Sequence, residues 1–164
     1  MPNINHFSTQ GSSGGPVGLI NVDLIENVDF ISAAFPSNRG NTLSSVFEFS
    51  QKRPNKENFN TSFTVGSSDL ALLVDAPIGK NSGIIFSARK SYLQFLFKAL
   101  QLPFLPEYND IQFKYLNKLS DKSELVIIGL GAIDDFSLNQ GANDGVSDLA
   151  TIERNQFILD YIPV

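Results

Sequence analysis

Apolar residues form two kinds of pattern along this chain, continuous runs near the start and alternating runs in the rest. The two early runs, Val28–Ala34 and Val46–Ser50, are apolar and partly β-branched, which favours buried strands. A turn cluster lies between them at 36–40. A short helix is predicted at the start of the first run, capped by Asn21 or Asp23 and with Leu24, Ile25 and Val28 on one face.

From Phe59 onwards, apolar and polar residues mostly alternate, which is typical of strands with one apolar and one polar face. The predicted strands are 59–66, 70–76, 84–89, 111–119, 124–133 and 156–164. A short helix is expected within Ser91–Leu102, where Leu93, Phe97 and Leu100 have helical spacing. The segment Asp134–Asn155 is polar, acidic and contains glycine, which indicates a long loop.

The connections between these strands differ in length. Two are short, 77–83 and 120–123, whereas 90–110 and 134–155 are long. Transmembrane β-barrels show this asymmetry, with short turns on one side and long loops on the other. Soluble β-sandwiches also use strands with one apolar face, so a soluble β-rich module stays open as the alternative.

Composition removes several classes of function. The net charge of -5 argues against a general nucleic-acid binder, whose affinity comes largely from Lys and Arg. The absence of Cys excludes thiol catalysis, disulfides and thiolate metal sites. No run is long and apolar enough for a membrane-spanning helix. A complete membrane β-barrel protein would need an apolar signal core, which the polar first residues do not have, so either the membrane interpretation is wrong or this chain begins inside a longer protein.

One stretch resembles a catalytic motif. Gly11–Pro16 (GSSGGP) is similar to the GDSGGP motif of trypsin-like serine proteases, with Ser13 in the place of the nucleophile. That nucleophile needs a histidine base, which the family carries far upstream, and Ser12 replaces the motif's aspartate. His6 is too close to be that base, and we predict an ordinary loop residue there. The expectation is that the chain is not an enzyme and has no catalytic residue.

The acidic segment near the end is the other candidate for chemistry. Its oxygen-bearing side chains suit Ca²⁺ in type. They are Asp134, Asp135, Asn139, Asn143, Asp144 and Asp148. The spacing of a calcium loop with its closing bidentate Glu is absent, since Glu153 is the only Glu nearby. A solvated outer loop is therefore predicted, with no metal and no cofactor.

Ten positions in the first third of the chain match a family pattern of the form aIErIEV, a turn ending in glycine, and a GVxNxxTK-like strand. They are Ile25, Glu26, Val28, Asp29, Phe30, Gly40, Val46, Phe47, Phe49 and Lys52. The stretch resembles the last part of the plug domain of TonB-dependent outer-membrane receptors, especially the nutrient-uptake receptors of Bacteroidetes. Ala33, Arg39 and Ser45 depart from the Gly, Tyr and Gly that are usual in that family.

Further segments extend the resemblance to nearly the whole chain. Asn3–Phe7 also looks like plug sequence, while Arg89–Leu93 and Leu102–Asp110 resemble the first barrel strands and first long outer loop of the same receptors. The resemblance implies a mainly β fold with short helices, in which the end of a plug domain precedes antiparallel strands of an incomplete transmembrane β-barrel. The implied parts are 1–52 for the plug, 53–58 for a linker, and 59–164 for the strands with long outer loops.

The resemblance also implies a function: energy-coupled uptake of a nutrient across the outer membrane. The implied partners of the full-length parent are a TonB-type energy-coupling protein and outer-membrane lipid, and the nutrient cannot be read from these residues. Plugged transporters have about 22 strands, each of roughly 9 to 11 residues, so strands alone need about 200 residues. We therefore expect a piece of a receptor. A soluble β-rich binding module is the alternative, and a serine hydrolase acting through Ser13 is a more remote one.

Overall fold

The fold is mainly β with two short helices, as the alternation predicted, and its sheets are antiparallel with none closed into a barrel. The computed structural model describes residues 5–7, 17–32, 39, 45–144 and 147–161. The elements in chain order are β1 (Asn5–His6), β2 (Val17–Gly18), a 3₁₀ helix (Val22–Leu24), β3 (Ile25–Ser32), β4 (Ser45–Gln51), β5 (Asn60–Val65), β6 (Asp69–Pro77), β7 (Ser82–Ser91), α1 (Leu93–Ala99), β8 (Phe104–Ser120), β9 (Ser123–Leu138) and α2 (Leu149–Tyr161).

Three sheets arise from these strands. Strand β1 pairs with β2, and β3 pairs with β4, each as a two-stranded antiparallel sheet. The five remaining strands form one antiparallel sheet in the order β5-β6-β7-β8-β9, so neighbours in sequence are neighbours in space. Within the described residues, β5 and β9 are the two edges of this sheet.

The early helix is shorter than predicted. Asn21 caps it, because its side-chain oxygen accepts a hydrogen bond from the backbone N–H of Asp23. It ends at Leu24, and β3 begins at Ile25, so placing Ile25 and Val28 on a helix face was wrong. The two predicted strands are present as the β3–β4 pair, but the prediction that they are buried was wrong, since Val28, Phe30 and Phe47 are exposed. The glycine of the predicted turn, Gly40, lies outside the described residues.

Strand β8 begins earlier than the sequence indicated. The prediction started this strand at 111, whereas residues 104–110 already belong to it. Pairing of β8 with β7 stops at Asn109, while pairing with β9 continues to Phe104. Pro106 therefore lies where the strand has a single neighbour, and its missing N–H costs no bond to a second strand.

The predicted long loop at 134–155 and the predicted strand at 156–164 are both wrong. Strand β9 continues through Leu138, and α2 occupies Leu149–Tyr161. Asp148 caps this helix, since its carboxylate accepts hydrogen bonds from the backbone N–H and the hydroxyl of Thr151. The same bonds lower the pKa of Asp148. In the described part of the chain, no helix has the length and apolar content to cross a membrane.

The two faces of the five-stranded sheet differ in chemistry. One face, which we call the outer face, includes five exposed apolar residues: Phe63, Leu72, Ile111, Ile127 and Ile133. The inner face is mixed: β7 and β8 place several polar side chains on it, and residues of the amino-terminal part lie against these, whereas β9 places the exposed apolar residues Val126, Ile128 and Leu130 there. Those polar positions include Ser87, Arg89, Asp110, Gln112 and Lys114.

Residues 52–59 have no regular secondary structure and pack closely on one inner-face glycine of β7. The N–H of Asn55 donates to Asp75 at 2.7 Å. A Cβ added at Gly83 would lie 2.7 Å from the Asn55 carbonyl oxygen and 2.8 Å from Pro54 Cβ. The absence of a side chain at Gly83 is therefore what lets this segment approach the sheet.

We expect Gly83→Ala to lower the free energy of unfolding by about 1–3 kcal/mol, because the backbone at Pro54 and Asn55 must move. The matched control is Gly131→Ala in β9, where a Cβ would meet nothing within 4 Å. Chemical denaturation of both variants in the same detergent measures the difference. Equal effects of the two substitutions would contradict this close approach.

Candidate functional site

Most of the buried polar side chains of the described residues lie on the inner face, between the sheet and the amino-terminal residues. We call this set the polar cluster. Its members are His6, Asn21, Ser87, Arg89, Tyr108, Asp110, Gln112 and Asp134. Strands β7, β8 and β9 supply six of them, and the segments around β1 and β2 supply the other two.

His6 lies between two carboxylates. Its Nδ1 is 2.5 Å from an oxygen of Asp134, and its Nε2 is 3.3 Å from an oxygen of Asp110. The imidazole stacks on the ring of Tyr108, with 4.3 Å between centroids. The backbone N–H of Phe7 donates to the second oxygen of Asp134 at 2.8 Å. The structure thus buries a residue that we predicted to be an ordinary loop histidine, and that prediction was wrong.

Arg89 joins the sheet to the amino-terminal part. Its Nε donates to Asp110 at 2.8 Å, and its Nη2 donates to the carbonyl oxygens of Gly18 and Leu19 at 2.9 and 2.8 Å. The Arg89 and Asp110 side chains are 10% and 0% exposed. A buried ion pair of this kind is costly to break, because removing one partner leaves the other charge unpaired away from water.

Neutral polar groups add a second set of contacts beside this pair. Gln112 donates to the Leu19 carbonyl oxygen at 2.7 Å and accepts from the N–H of Asn21 at 3.3 Å. The side-chain amide of Asn21 donates to the Ser87 hydroxyl at 2.7 Å. Because the Asn21 side-chain oxygen caps the 3₁₀ helix, this one residue fixes a local turn and its position on the sheet.

Further along the inner face, Lys114 holds the end of the β3–β4 pair. Its Nζ donates to the Gln51 carbonyl oxygen at 2.9 Å. Burial lowers the pKa of Lys114, and the charge of Arg53 lowers it further. Arg53 itself pairs with Glu124 of β9. The segments on both sides of the β3–β4 pair are therefore attached to the same face of the sheet.

Tyr108 supports the cluster from within the sheet. Its hydroxyl donates to Asp69 of β6 at 2.9 Å, across the intervening strand β7. Burial and the neighbouring Asp69 raise the pKa of Tyr108 to about 12, so the phenol stays neutral at physiological pH. Its backbone N–H also donates to the Ser91 hydroxyl.

The contacts of the polar cluster attach the amino-terminal residues to the sheet. Both nitrogens of His6 face carboxylates, on opposite sides of the ring, so the two carboxylates do not converge on one point. Among the residues that the structure describes, no group of three or more His, Asp or Glu side chains is arranged to hold a metal ion. Ser13 and its neighbours lie outside the described residues.

The structure separates the residues of the predicted acidic loop. Asp134 belongs to the polar cluster, and its neighbour Asp135 lies on the opposite face of β9. Asn139 donates to the Leu102 carbonyl oxygen, and Asp148 caps α2. The Asn143 side-chain amide donates to the Ile152 carbonyl oxygen. These side chains therefore anchor local structure in several places instead of lining one loop.

The sequence held one signal for the cluster that our predictions did not use. Arg89, Asp110, Gln112 and Lys114 repeat at every second position of strands whose other residues are apolar, which indicates a polar face in need of polar partners. No protein-family model matches the chain, and no curated protein or solved structure shows significant similarity to it. Conclusions about function therefore depend on the geometry described above.

Proposed function

We propose that this chain is part of a TonB-dependent receptor for the energy-coupled uptake of a nutrient across the outer membrane. In this proposal the amino-terminal residues are the end of the plug, and β5–β9 are the first strands of the wall around it. The parent protein would contact a TonB-type energy-coupling protein and outer-membrane lipid. The chain would supply wall and plug surface, without a catalytic residue or a cofactor.

The observation that carries the proposal is which face of the sheet is covered. A soluble sheet buries its apolar face and leaves the polar face in water. Here Leu19, Asn21 and Gln51 cover polar inner-face positions of β7 and β8, while apolar residues of the outer face are open. Membrane barrels have this arrangement, with apolar residues towards lipid and polar residues towards the interior.

The dimensions of the sheet agree with the proposal. Strands β6, β7, β8 and β9 have 9, 10, 17 and 16 residues, which reaches the roughly 9 to 11 needed to cross a bilayer. The edge strand β5 is shorter, with 6 residues. At one end of the sheet the connections are the short 78–81 and 121–122. The opposite end has the short 66–68 and the longer 92–103, which contains α1. An asymmetry of this kind is typical of transmembrane barrels.

A soluble β-rich binding module is the second candidate, and one observation favours it. The β3–β4 pair exposes a row of aromatic rings, in which Phe30 and Phe47 have centroids 4.8 Å apart and Phe47 and Phe49 have centroids 6.1 Å apart. Such a row offers a flat surface for a ligand or protein. It leaves the open outer face of the larger sheet without a role, so we prefer the receptor.

The coding sequence on both sides of this segment tests the receptor proposal. We expect a secretion signal and the first part of a plug upstream, and many further strands of alternating pattern downstream. A stop codon shortly after Val164, or flanking domains of another type, would overturn the proposal and favour the binding module.

A further inference from the structure

We infer that the first residues of the described chain are attached to the sheet by a proton-linked latch, formed by His6, Asp110 and Asp134. The attachment is strongest when the imidazole carries protons on both nitrogens, and it weakens when one proton is lost. This goes beyond the proposed function and does not depend on it, because the same contacts would act in a soluble module.

Hydrogen-bond chemistry sets the direction of the effect. A carboxylate only accepts hydrogen bonds, and a neutral imidazole has one N–H and one bare nitrogen. With Asp134 at Nδ1 and Asp110 at Nε2, a neutral His6 ring would turn a lone pair towards one of the carboxylates. With both carboxylates ionised, the imidazolium is the form of the ring that satisfies both contacts, because it donates from both nitrogens.

The charges around the ring also favour a charged His6. Strand β7 contributes Arg89, β8 contributes Asp110 and Tyr108, and β9 contributes Asp134. With a charged His6, the two cations balance the two carboxylates. With a neutral ring, one negative charge is left uncompensated, beside His6 and Asp110 side chains that are 0% exposed and an Asp134 side chain that is 32% exposed. Asp69 lies beyond Tyr108 and adds a further carboxylate on that side.

The effect is local to the latch. His6 and Phe7 contact the sheet through Asp110, Asp134 and Tyr108, so the ring charge acts directly on their attachment. The neighbouring segment at 18–21 is held by Arg89, Gln112 and Ser87. Arginine keeps its charge and the other two side chains are neutral at every physiological pH, so that segment has no comparable response.

The chain offers a clean measurement, since His6 is its only histidine. In ¹⁵N-labelled protein held in detergent micelles, we expect both ring nitrogens to carry protons while residues 5–7 are protected from amide exchange. As the pH is raised, exchange at 6 and 7, corrected for its intrinsic pH dependence, should accelerate at least about tenfold once the ring loses a proton. Exchange at 18–21 should change less than about twofold. A protected segment whose ring holds a single proton would overturn the inference.

Variants separate the latch from general loosening. His6→Gln cannot become charged, so exchange at 5–7 should be fast and lose its pH response, while 18–21 stays protected. Asp134→Asn leaves a single carboxylate, which a neutral ring satisfies, so the response should shrink. Asp121→Asn is the matched control, because this exposed carboxylate lies at the turn between β8 and β9. A pH response that persists in His6→Gln, or that disappears in Asp121→Asn, contradicts the latch.

Discussion

Replacement of Asp110 by Ala is expected to lower the free energy of unfolding by about 3–5 kcal/mol, the cost of breaking a buried ion pair from one side. Asp110 accepts hydrogen bonds from Arg89 and Gln112 and faces His6. Without it, the Arg89 guanidinium stays buried with carbonyl oxygens as its hydrogen-bond partners. Chemical denaturation in detergent, followed by circular dichroism, measures the loss.

The control for this substitution is Asp121→Ala. Asp121 also pairs with a cation, Lys118, but its side chain is 96% exposed. Exposed pairs contribute little, so a change within about 0.5 kcal/mol is expected. If Asp110→Ala is as mild as Asp121→Ala, the polar cluster does not hold the amino-terminal residues on the sheet.

In detergent-free buffer the chain is expected to self-associate, and detergent should recover a monomer. The outer face exposes large apolar side chains, including Phe63 and Ile133 at 65% and 73% exposure. Strands β5 and β9 present unpaired edges within the described residues. Both features drive association. Strand β9 is one of these edges because α2 occupies Leu149–Tyr161, where we had predicted a further strand at 156–164.

Size-exclusion chromatography with light scattering, with and without detergent, checks this expectation. Phe63→Lys should reduce association, because it introduces a charge at an edge strand on the outer face. Phe30→Lys is the matched control on the separate β3–β4 pair. A sharp monomeric peak at 18.0 kDa without detergent, with cooperative unfolding, would favour the soluble module.

The strands were predictable because their signal is local. Alternation located β5, β7 and most of β8, continuous apolar runs located β6 and most of β9, and the short polar turn at 121–122 placed the hairpin between the last two strands. The end of β9 was missed because Asp134 and Asp135 look like loop residues in isolation. They become a strand by pairing with Tyr108 and Glu107, which the adjacent sequence does not reveal.

The sequence also contained a signal for helix α2, although it was weaker than the signals for the strands. Asp148 followed by Thr151 is a capping pattern, yet the apolar residues after it are few and unevenly spaced. The burial of His6 had no such local cue. Its partners Asp110 and Asp134 lie 104 and 128 positions away in sequence. Contacts at that separation depend on how the chain folds back, which periodicity cannot encode.

Alternation also leaves open which face of a sheet is covered. The same pattern at Ser62 and Phe63 would suit a soluble sheet with Phe63 buried. The structure leaves Phe63 exposed and places the amino-terminal residues over the polar face. The central claim, that the outer face meets lipid, comes from this difference.

Two adjacent residues of β5 test that claim most directly. The chain has no Cys, so Phe63→Cys on the outer face and Ser62→Cys on the inner face can each carry one polarity-sensitive fluorophore. In phospholipid vesicles, the account predicts blue-shifted emission and quenching by lipid-bound quenchers at position 63, with neither at position 62. Water-like emission at position 63, or equal quenching at both positions, would contradict it.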